Sequence, residues 1–153
     1  MEDIKRILVV SRSTKECRKT VHYGVSLSRK YEAELCVMHV VHDPLMFGGW
    51  NLPIPSLEEE YRKMLKESKE ELNAMIKKEK SKGVTIKELI KEGKPAEVVL
   101  SAVKEENIDL LIMLAHEEGR LEHFLFGRSN EEIIRAMPCS ILLVKKEPGA
   151  MNY

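Results

Sequence analysis

The stretch DLLIML, residues 109–114, has the composition of a β-strand at the centre of a sheet. A continuous apolar run this short, without polar alternation, is typical of a strand buried on both faces. Similar runs occur at 7–10 (ILVV), 35–41 (LCVMHVV) and 139–144 (CSILLV), and a less buried strand is predicted at 84–92. The pattern therefore predicts five strands.

The segments between the strands carry helical signals. A serine three residues before a glutamate forms a capping box at Ser13 and again at Ser129. A long amphipathic pattern runs from Leu57 to near Gly83, and Pro95 suits the first turn of a further helix. Strands that alternate with helices form a parallel sheet with helices on both faces, because the crossover connections are right-handed. The residues predict one doubly wound α/β domain.

Composition narrows the classes of function. The 153 residues contain 25 basic and 25 acidic side chains, so the net charge is zero and neither nucleic acid nor an anionic membrane is an expected partner. No apolar run approaches the roughly 20 residues that span a bilayer. Three scattered cysteines without a CxxC pair indicate reduced thiols in a cytoplasmic protein.

Several segments together resemble the universal stress protein family over nearly the whole chain. They are ILVV before a helix start, MHVV at the end of the second strand, and the long segments KEGKPAEVVLSAVKEENIDLLIM (91–113) and LFGRSNEEIIRAMPCSILLVKK (125–146). The resemblance implies a Rossmann-like sheet, similar to the adenine nucleotide alpha hydrolases, with strand order 3-2-1-4-5. We expect residues 1–147 to form this domain and 148–153 to be a C-terminal tail.

This strand order implies a ligand crevice where the direction of winding reverses, between the carboxyl ends of strands 1 and 4. Its candidate lining residues are Arg12, Ser13, Thr14, Val41, Gly119, Arg120, Gly127, Arg128 and Ser129. Some family members bind ATP there, and the resemblance makes ATP with Mg²⁺ the cofactor to consider.

The ATP-binding members carry an acidic residue after strand 1 and a loop of the form G-x2-G-x9-G-[ST]. When the loop is aligned on Gly127, the hydroxyl position holds Arg128 and the two earlier glycine positions hold Glu117 and Leu114. The acidic position holds Arg12. Side chains and negative charge replace the glycines that let backbone N–H groups approach phosphates. We therefore predict a degenerate nucleotide loop that binds no cofactor.

The exchanged charges suggest how the crevice is filled. Arg12 and the acidic pair Glu117 and Glu118 are predicted to form an ion pair that blocks it. The alternative is an anion pocket made by Arg12, Arg120 and Arg128. Ser129 is interpreted as a capping residue rather than a ligand, because its capping box accounts for the hydroxyl.

Other polar residues give weaker signals. His39, which ends an apolar strand, is interpreted as a core-edge histidine with its hydrogen bonds satisfied. His116 and His123 have no recognised metal-ligand spacing, so no metal site is assigned. No Ser-His-Asp or Cys-His constellation is present, so no catalytic residue is assigned and enzyme activity is not expected.

Two surfaces are candidates for protein partners. The irregular segment Asp43 to Ser56, which contains Trp50, could dock on another chain or cover its own helix. The last strand is an edge strand without a charge before Lys145, and open apolar edges invite pairing. We predict a homodimer through its residues, which are Ile141, Leu142, Leu143 and Val144.

The sequence therefore favours a homodimeric regulatory or binding module of the stress-protein type that does not bind ATP. The alternative is a nucleotide-binding stress protein with weak or no hydrolysis, which would use Gly119, Gly127 and Ser129 in a shifted loop. A partner-docking protein that acts through the Trp50 segment is a third possibility. Arg12 favours the first of these.

Overall fold

Five strands and four helices alternate along the described part of the chain, as the hydrophobic pattern predicts. The computed structural model describes residues 3–11, 17–41, 55–115 and 129–145. The strands are β1 (Arg6–Ser11), β2 (Glu34–Val41), β3 (Ile86–Glu92), β4 (Leu110–Leu114) and β5 (Ser140–Val144). The helices are α1 (Cys17–Tyr31), α2 (Pro55–Ser81), α3 (Pro95–Glu105) and α4 (Ser129–Ala136).

The five strands form one sheet in the order β3-β2-β1-β4-β5, and every neighbouring pair is parallel. This order confirms the doubly wound fold that the family resemblance implied. β1 is the central strand, and its Leu8 is in register with Cys36 of β2 and with Leu111 of β4. The chain therefore reverses its direction of winding between β1 and β4, where the crevice was predicted.

Successive side chains of the buried strands point alternately into two separate hydrophobic layers. Leu8 and Val10 of β1 face the layer that α3 and α4 cover, whereas Ile7 and Val9 face the layer under α1 and α2. All four side chains are at most 2% exposed. Each buried aliphatic side chain of this size contributes about 1.5–3 kcal/mol of transfer free energy. This two-sided burial explains why β1 and β4 are continuous apolar runs.

β3 is an edge strand that packs one side chain from each of its faces against the core. Ile86 is buried beneath α2, and Leu89 packs against the layer that α3 and α4 cover. Ile90 is 63% exposed. The sequence left open whether Leu89 or Ile90 continued the inward alternation, and the structure places Leu89 against the core.

α1 lies close to the sheet at Gly24, which the sequence placed on its buried face together with Cys17, Val21, Val25 and Ser28. A Cβ atom at position 24 would lie 2.5 Å from Cγ2 of Val9 and 3.1 Å from Cδ1 of Leu35. Only glycine allows this approach without displacing a core side chain.

Within the described residues, no helix combines the length and the apolar character that a membrane span requires.

Candidate functional site

The candidate site is the crevice at the carboxyl ends of β1 and β4. β1 ends at Ser11, which is fully buried and in register with His39 of β2. β4 ends at Leu114, which is in register with Val144 of β5. The parallel sheet therefore brings the ends of β1, β2 and β4 to one edge, as the binding geometry of open α/β sheets requires.

The end of β4 is held by two hydrogen bonds. The side-chain amide of Asn130, the second residue of α4, donates from Nδ2 to the carbonyl oxygen of Leu114 at 2.9 Å. The backbone N–H of Ala115 donates to the carbonyl oxygen of Val144 at 2.8 Å. These contacts join β4, β5 and the first turn of α4 into one unit beside the crevice. Sequence reasoning missed Asn130, because its partner is a backbone carbonyl 16 residues away in the chain.

Ser129, the first residue of α4, is 5% exposed. Its Oγ has no hydrogen-bond partner among the described residues. The predicted capping bond of Ser129 is therefore wrong, because a capping hydroxyl would accept a backbone N–H from the first turn. A buried hydroxyl at the positive end of a helix is instead suited to meet an anion.

The remaining crevice candidates fall largely outside the described residues. Val41 is the last residue of β2, where it is in register with Glu92 of β3. The others are Arg12, Ser13, Thr14, Gly119, Arg120, Gly127 and Arg128, together with the acidic pair Glu117 and Glu118. The predicted ion pair between Arg12 and the glutamates therefore stays a prediction.

His39 is buried beside the crevice edge, but the interpretation that its hydrogen bonds are satisfied is wrong. Neither Nδ1 nor Nε2 has a hydrogen-bond partner in the described part of the chain. Glu88 on β3 lies beside the ring, with Oε1 3.7 Å from Nε2, which is within ion-pair range of a protonated ring but beyond hydrogen-bond range. Burial lowers the pKa of His39, and the charge of Glu88 opposes that shift. The neutral imidazole is therefore favoured.

Glu88 itself is held by α2. Nζ of Lys80 donates to its Oε2 at 2.8 Å. This hydrogen bond is the main reason why the pKa of Glu88 lies below its usual value. The carboxylate is therefore ionised at neutral pH and is already bound to a cation.

Burial makes two of the three cysteines less reactive. None of Cys17, Cys36 and Cys139 forms a disulfide bond. Burial raises the pKa of Cys36 to about 11, and burial also raises the pKa of Cys139. A thiol with a raised pKa stays protonated at neutral pH and is a poor nucleophile. These two residues act as small apolar side chains of the core, as the sequence indicated.

The described residues contain no group of three or more His, Cys, Asp or Glu side chains that could hold a metal ion. His116 and His123, which the sequence analysis considered for a metal site, lie outside them.

Comparison with known proteins decides the family. The model of the universal stress protein family matches residues 3–145. This chain belongs to the universal stress protein family. Its relatives include universal stress protein MJ0531 of Methanocaldococcus jannaschii, which is 27% identical over 93% of this chain and 82% of its own length.

Solved structures of the family share the fold. That of the M. jannaschii protein MJ0577 superposes with a TM-score of 0.69 at 21% identity, over 97% of this chain and all of that one. An Arabidopsis thaliana universal stress protein with AMP bound superposes with a TM-score of 0.61 at 17% identity, over 95% and 97% of the two chains. At these identities the likeness extends to the fold alone.

Proposed function

We propose that this universal stress protein is a homodimeric binding or regulatory module whose crevice between β1 and β4 does not hold ATP. The proposal rests on the environment of Leu114. The family resemblance places the first glycine of the nucleotide loop at this position. Here the residue has a half-buried side chain, lies in β4 in register with Val144, and accepts a hydrogen bond from Asn130. A position held in this way lacks the freedom that glycine gives a phosphate-binding turn.

The charges of the sequence support the same proposal. Glu117 stands at the second glycine position, and Arg12 stands where ATP-binding members have an acidic residue. A carboxylate near the phosphates would repel them, and an arginine cannot accept hydrogen bonds from ribose hydroxyls.

Titration calorimetry with Mg-ATP tests the proposal. We expect no stoichiometric binding to the wild-type chain. The triple variant Arg12→Asp, Leu114→Gly, Glu117→Gly restores three of the four departing positions and leaves Arg128 in place, and we expect its affinity for Mg-ATP to rise by at least about tenfold. Stoichiometric ATP on the wild-type protein would overturn the proposal.

A matched control variant is Lys30→Asp, Glu32→Gly, which makes the same net change of charge at exposed positions next to the end of α1. Glu32 has a φ of 54°, so glycine is well tolerated there. This variant should leave the affinity for Mg-ATP unchanged. Equal gains in both variants would show that net charge alone, and not the motif, governs binding.

The buried hydroxyl of Ser129 favours a second candidate function, which is nucleotide binding at the same crevice. Its Oγ lacks a partner among the described residues and lies at the first turn of α4. A structural neighbour from Arabidopsis thaliana has AMP bound. If this candidate is correct, AMP binds the wild-type chain, and Ser129→Ala weakens binding by about tenfold through loss of one charge-assisted hydrogen bond.

The dimer is proposed through β5. Its outer edge has no strand partner among the described residues, and Leu143 is 44% exposed. Ile134 and Met137, which precede β5 in the chain, are also exposed apolar side chains. An uncharged edge with apolar neighbours is suited to a two-fold contact with a second copy.

Two further proposals concern the cellular compartment and a protein partner. Free, buried or half-buried thiols are consistent with a reducing compartment, and we place the protein in the cytoplasm. The segment Asp43 to Ser56 is proposed as a docking surface for a protein partner on its sequence alone, since most of it lies outside the described residues.

A further inference from the structure

A cavity of about 440 Å³ lies between α2 and the face of β2 and β3 that this helix covers. Its described lining residues are His39, Lys69, Asn73, Ile76, Lys77, Lys80, Glu88 and Ile90. The cavity is distinct from the crevice, which lies at the ends of β1 and β4. Its volume is within the range of small-molecule sites in proteins.

His39 gives the cavity a polar floor with unused hydrogen-bonding capacity. The residue is 4% exposed, and both ring nitrogens lack a hydrogen-bond partner among the described residues. A buried polar group without a partner is costly, and native proteins avoid the cost unless a ligand or water satisfies it. The neutral imidazole offers one donor and one acceptor. Both nitrogens are fully buried in the structure, so a ligand in the cavity reaches the ring only after neighbouring side chains of the lining move.

The charges of the lining residues favour an anion as that partner. Lys80 is paired with Glu88 at 2.8 Å, which neutralises both groups. Lys69 and Lys77 form no ion pair within the described ranges, whereas Lys80, the third lysine of the lining, is paired. Two unpaired ammonium groups, without a second carboxylate in the described lining, leave an excess of positive charge.

Apolar side chains complete the cavity. Ile76 is 1% exposed and belongs to the core layer beneath α2, and Ile90 extends from β3 with 63% of its surface exposed. These walls suit a ligand with an apolar body as well as a charged group.

We propose that this cavity binds a small organic anion, whose carboxylate or phosphate contacts Lys69 and Lys77 while another polar atom pairs with His39. The apolar part of the ligand lies against Ile76 and Ile90. This site is independent of whether the crevice binds a nucleotide, because none of the crevice candidates lines the cavity. A metal cation is a poorer occupant, since lysines surround the space and the described residues hold no three-ligand cluster.

NMR of the full chain tests the proposal through the ring signals of His39. The probes are phenyl phosphate and benzoate, with benzyl alcohol as a neutral molecule of similar size. We expect at least one anion to shift the His39 signals saturably below about 10 mM, an affinity typical of small fragments, and benzyl alcohol to shift them far less. Equal shifts with benzyl alcohol, or none with either anion, would overturn the proposal.

Paired variants of α2 separate this site from a general charge effect. Lys69→Gln, Lys77→Gln removes the two lining charges and should weaken anion binding by about tenfold. Lys66→Gln, Lys78→Gln removes two exposed lysines of the same helix that do not line the cavity, and should leave binding within about twofold. Both pairs replace exposed side chains and keep the fold. Equal weakening by the two pairs would overturn the site.

Discussion

The two edge strands of the sheet present different side chains to solvent. Four of the seven residues of β3 are charged, namely Lys87, Glu88, Lys91 and Glu92. None of the five residues of β5 is charged. Two of the β3 charges form ion pairs, since Lys87 contacts Glu106, the residue that follows α3, at 2.7 Å, and Glu88 contacts Lys80 of α2 at 2.8 Å.

The two edges of this sheet therefore differ in how readily they can pair with a strand of another chain. Charges along an edge strand discourage pairing with another chain, because pairing would bury them. An uncharged edge carries no such barrier. β3 therefore has the features of an edge that remains single, and β5 has those of an edge that meets a second copy.

The largest expected effect comes from placing a charge on the β5 edge. Leu143→Lys should raise the dissociation constant of the proposed dimer by about a hundredfold, because a two-fold interface carries each substitution twice. Sedimentation velocity over a concentration series measures the change. Leu143 is 44% exposed, so the substitution spares the core of the monomer.

Ile90→Lys is the matched control, because it makes the same kind of exchange on the opposite edge strand at an exposed position. It should leave the dissociation constant unchanged. A wild-type protein that sediments as a monomer at micromolar concentration would contradict the dimer itself.

Removing a charge from the β3 edge should promote association between copies, whereas adding a charge to the β5 edge should weaken it. Lys87→Val deletes the ion pair with Glu106 and adds an apolar side chain to the edge. We expect new self-association, with light scattering about tenfold above the wild-type signal at equal concentration. Lys63→Val, which deletes an exposed pair with Glu67 on α2, serves as the control and should scatter like the wild type. No increase in Lys87→Val would mean that charge does not protect this edge.

The pH dependence of stability should come from the β3 half of the sheet, since β5 itself carries no ionisable side chain. Burial lowers the pKa of His39 in the folded chain, so the unfolded chain takes up the proton first as the pH falls below about 6.5. Stability is therefore full above that pH and decreases below it, by at most about 1.4 kcal/mol per pH unit for one group.

Urea midpoints between pH 8 and pH 5 measure this slope. His39→Gln removes the titrating ring and should flatten the slope, whatever its effect on absolute stability. His22→Gln changes an exposed histidine of α1 and should keep the wild-type slope. Identical slopes in the wild type and His39→Gln would exclude His39 as the source.

The smallest effect concerns the ion pair between Lys80 and Glu88. Their side chains are 41% and 35% exposed, so solvent screens the attraction. A double-mutant cycle with Lys80→Met and Glu88→Gln should give a coupling free energy of about 0.5 kcal/mol, read from urea denaturation. A coupling near 3 kcal/mol would instead indicate a pair that is effectively buried.

The strands and helices could be predicted because their signals are local. Short apolar runs identified four of the strands, alternation over 84–92 identified β3, and Pro95 marked the first turn of α3. The strand order could not be derived from spacing and came from the family resemblance, because pairing is a non-local property. The same limit left the alternation at Leu89 and Ile90 open, since a partly covered edge strand has no strict inward face.

The details of the site were harder to predict than the fold. The capping-box pattern placed Ser129 at a helix start but did not reveal that its hydroxyl lacks a partner among the described residues. The sequence indicated the burial of His39 but not its unpaired ring, because hydrogen bonding depends on where Glu88 and α2 lie after folding. Asn130 was missed because its partner, the carbonyl of Leu114, is a backbone atom that no residue type reveals.

The hydrogen bond between Asn130 and Leu114 has a consequence for how this fold can change. Together with the bond from Ala115 to Val144, it anchors both borders of the segment 116–128 through residues outside that segment. A replacement segment of equal length would therefore be joined to the same anchored residues, whatever its own sequence. Variation of this segment is thus separated from the contacts that join β4, β5 and α4.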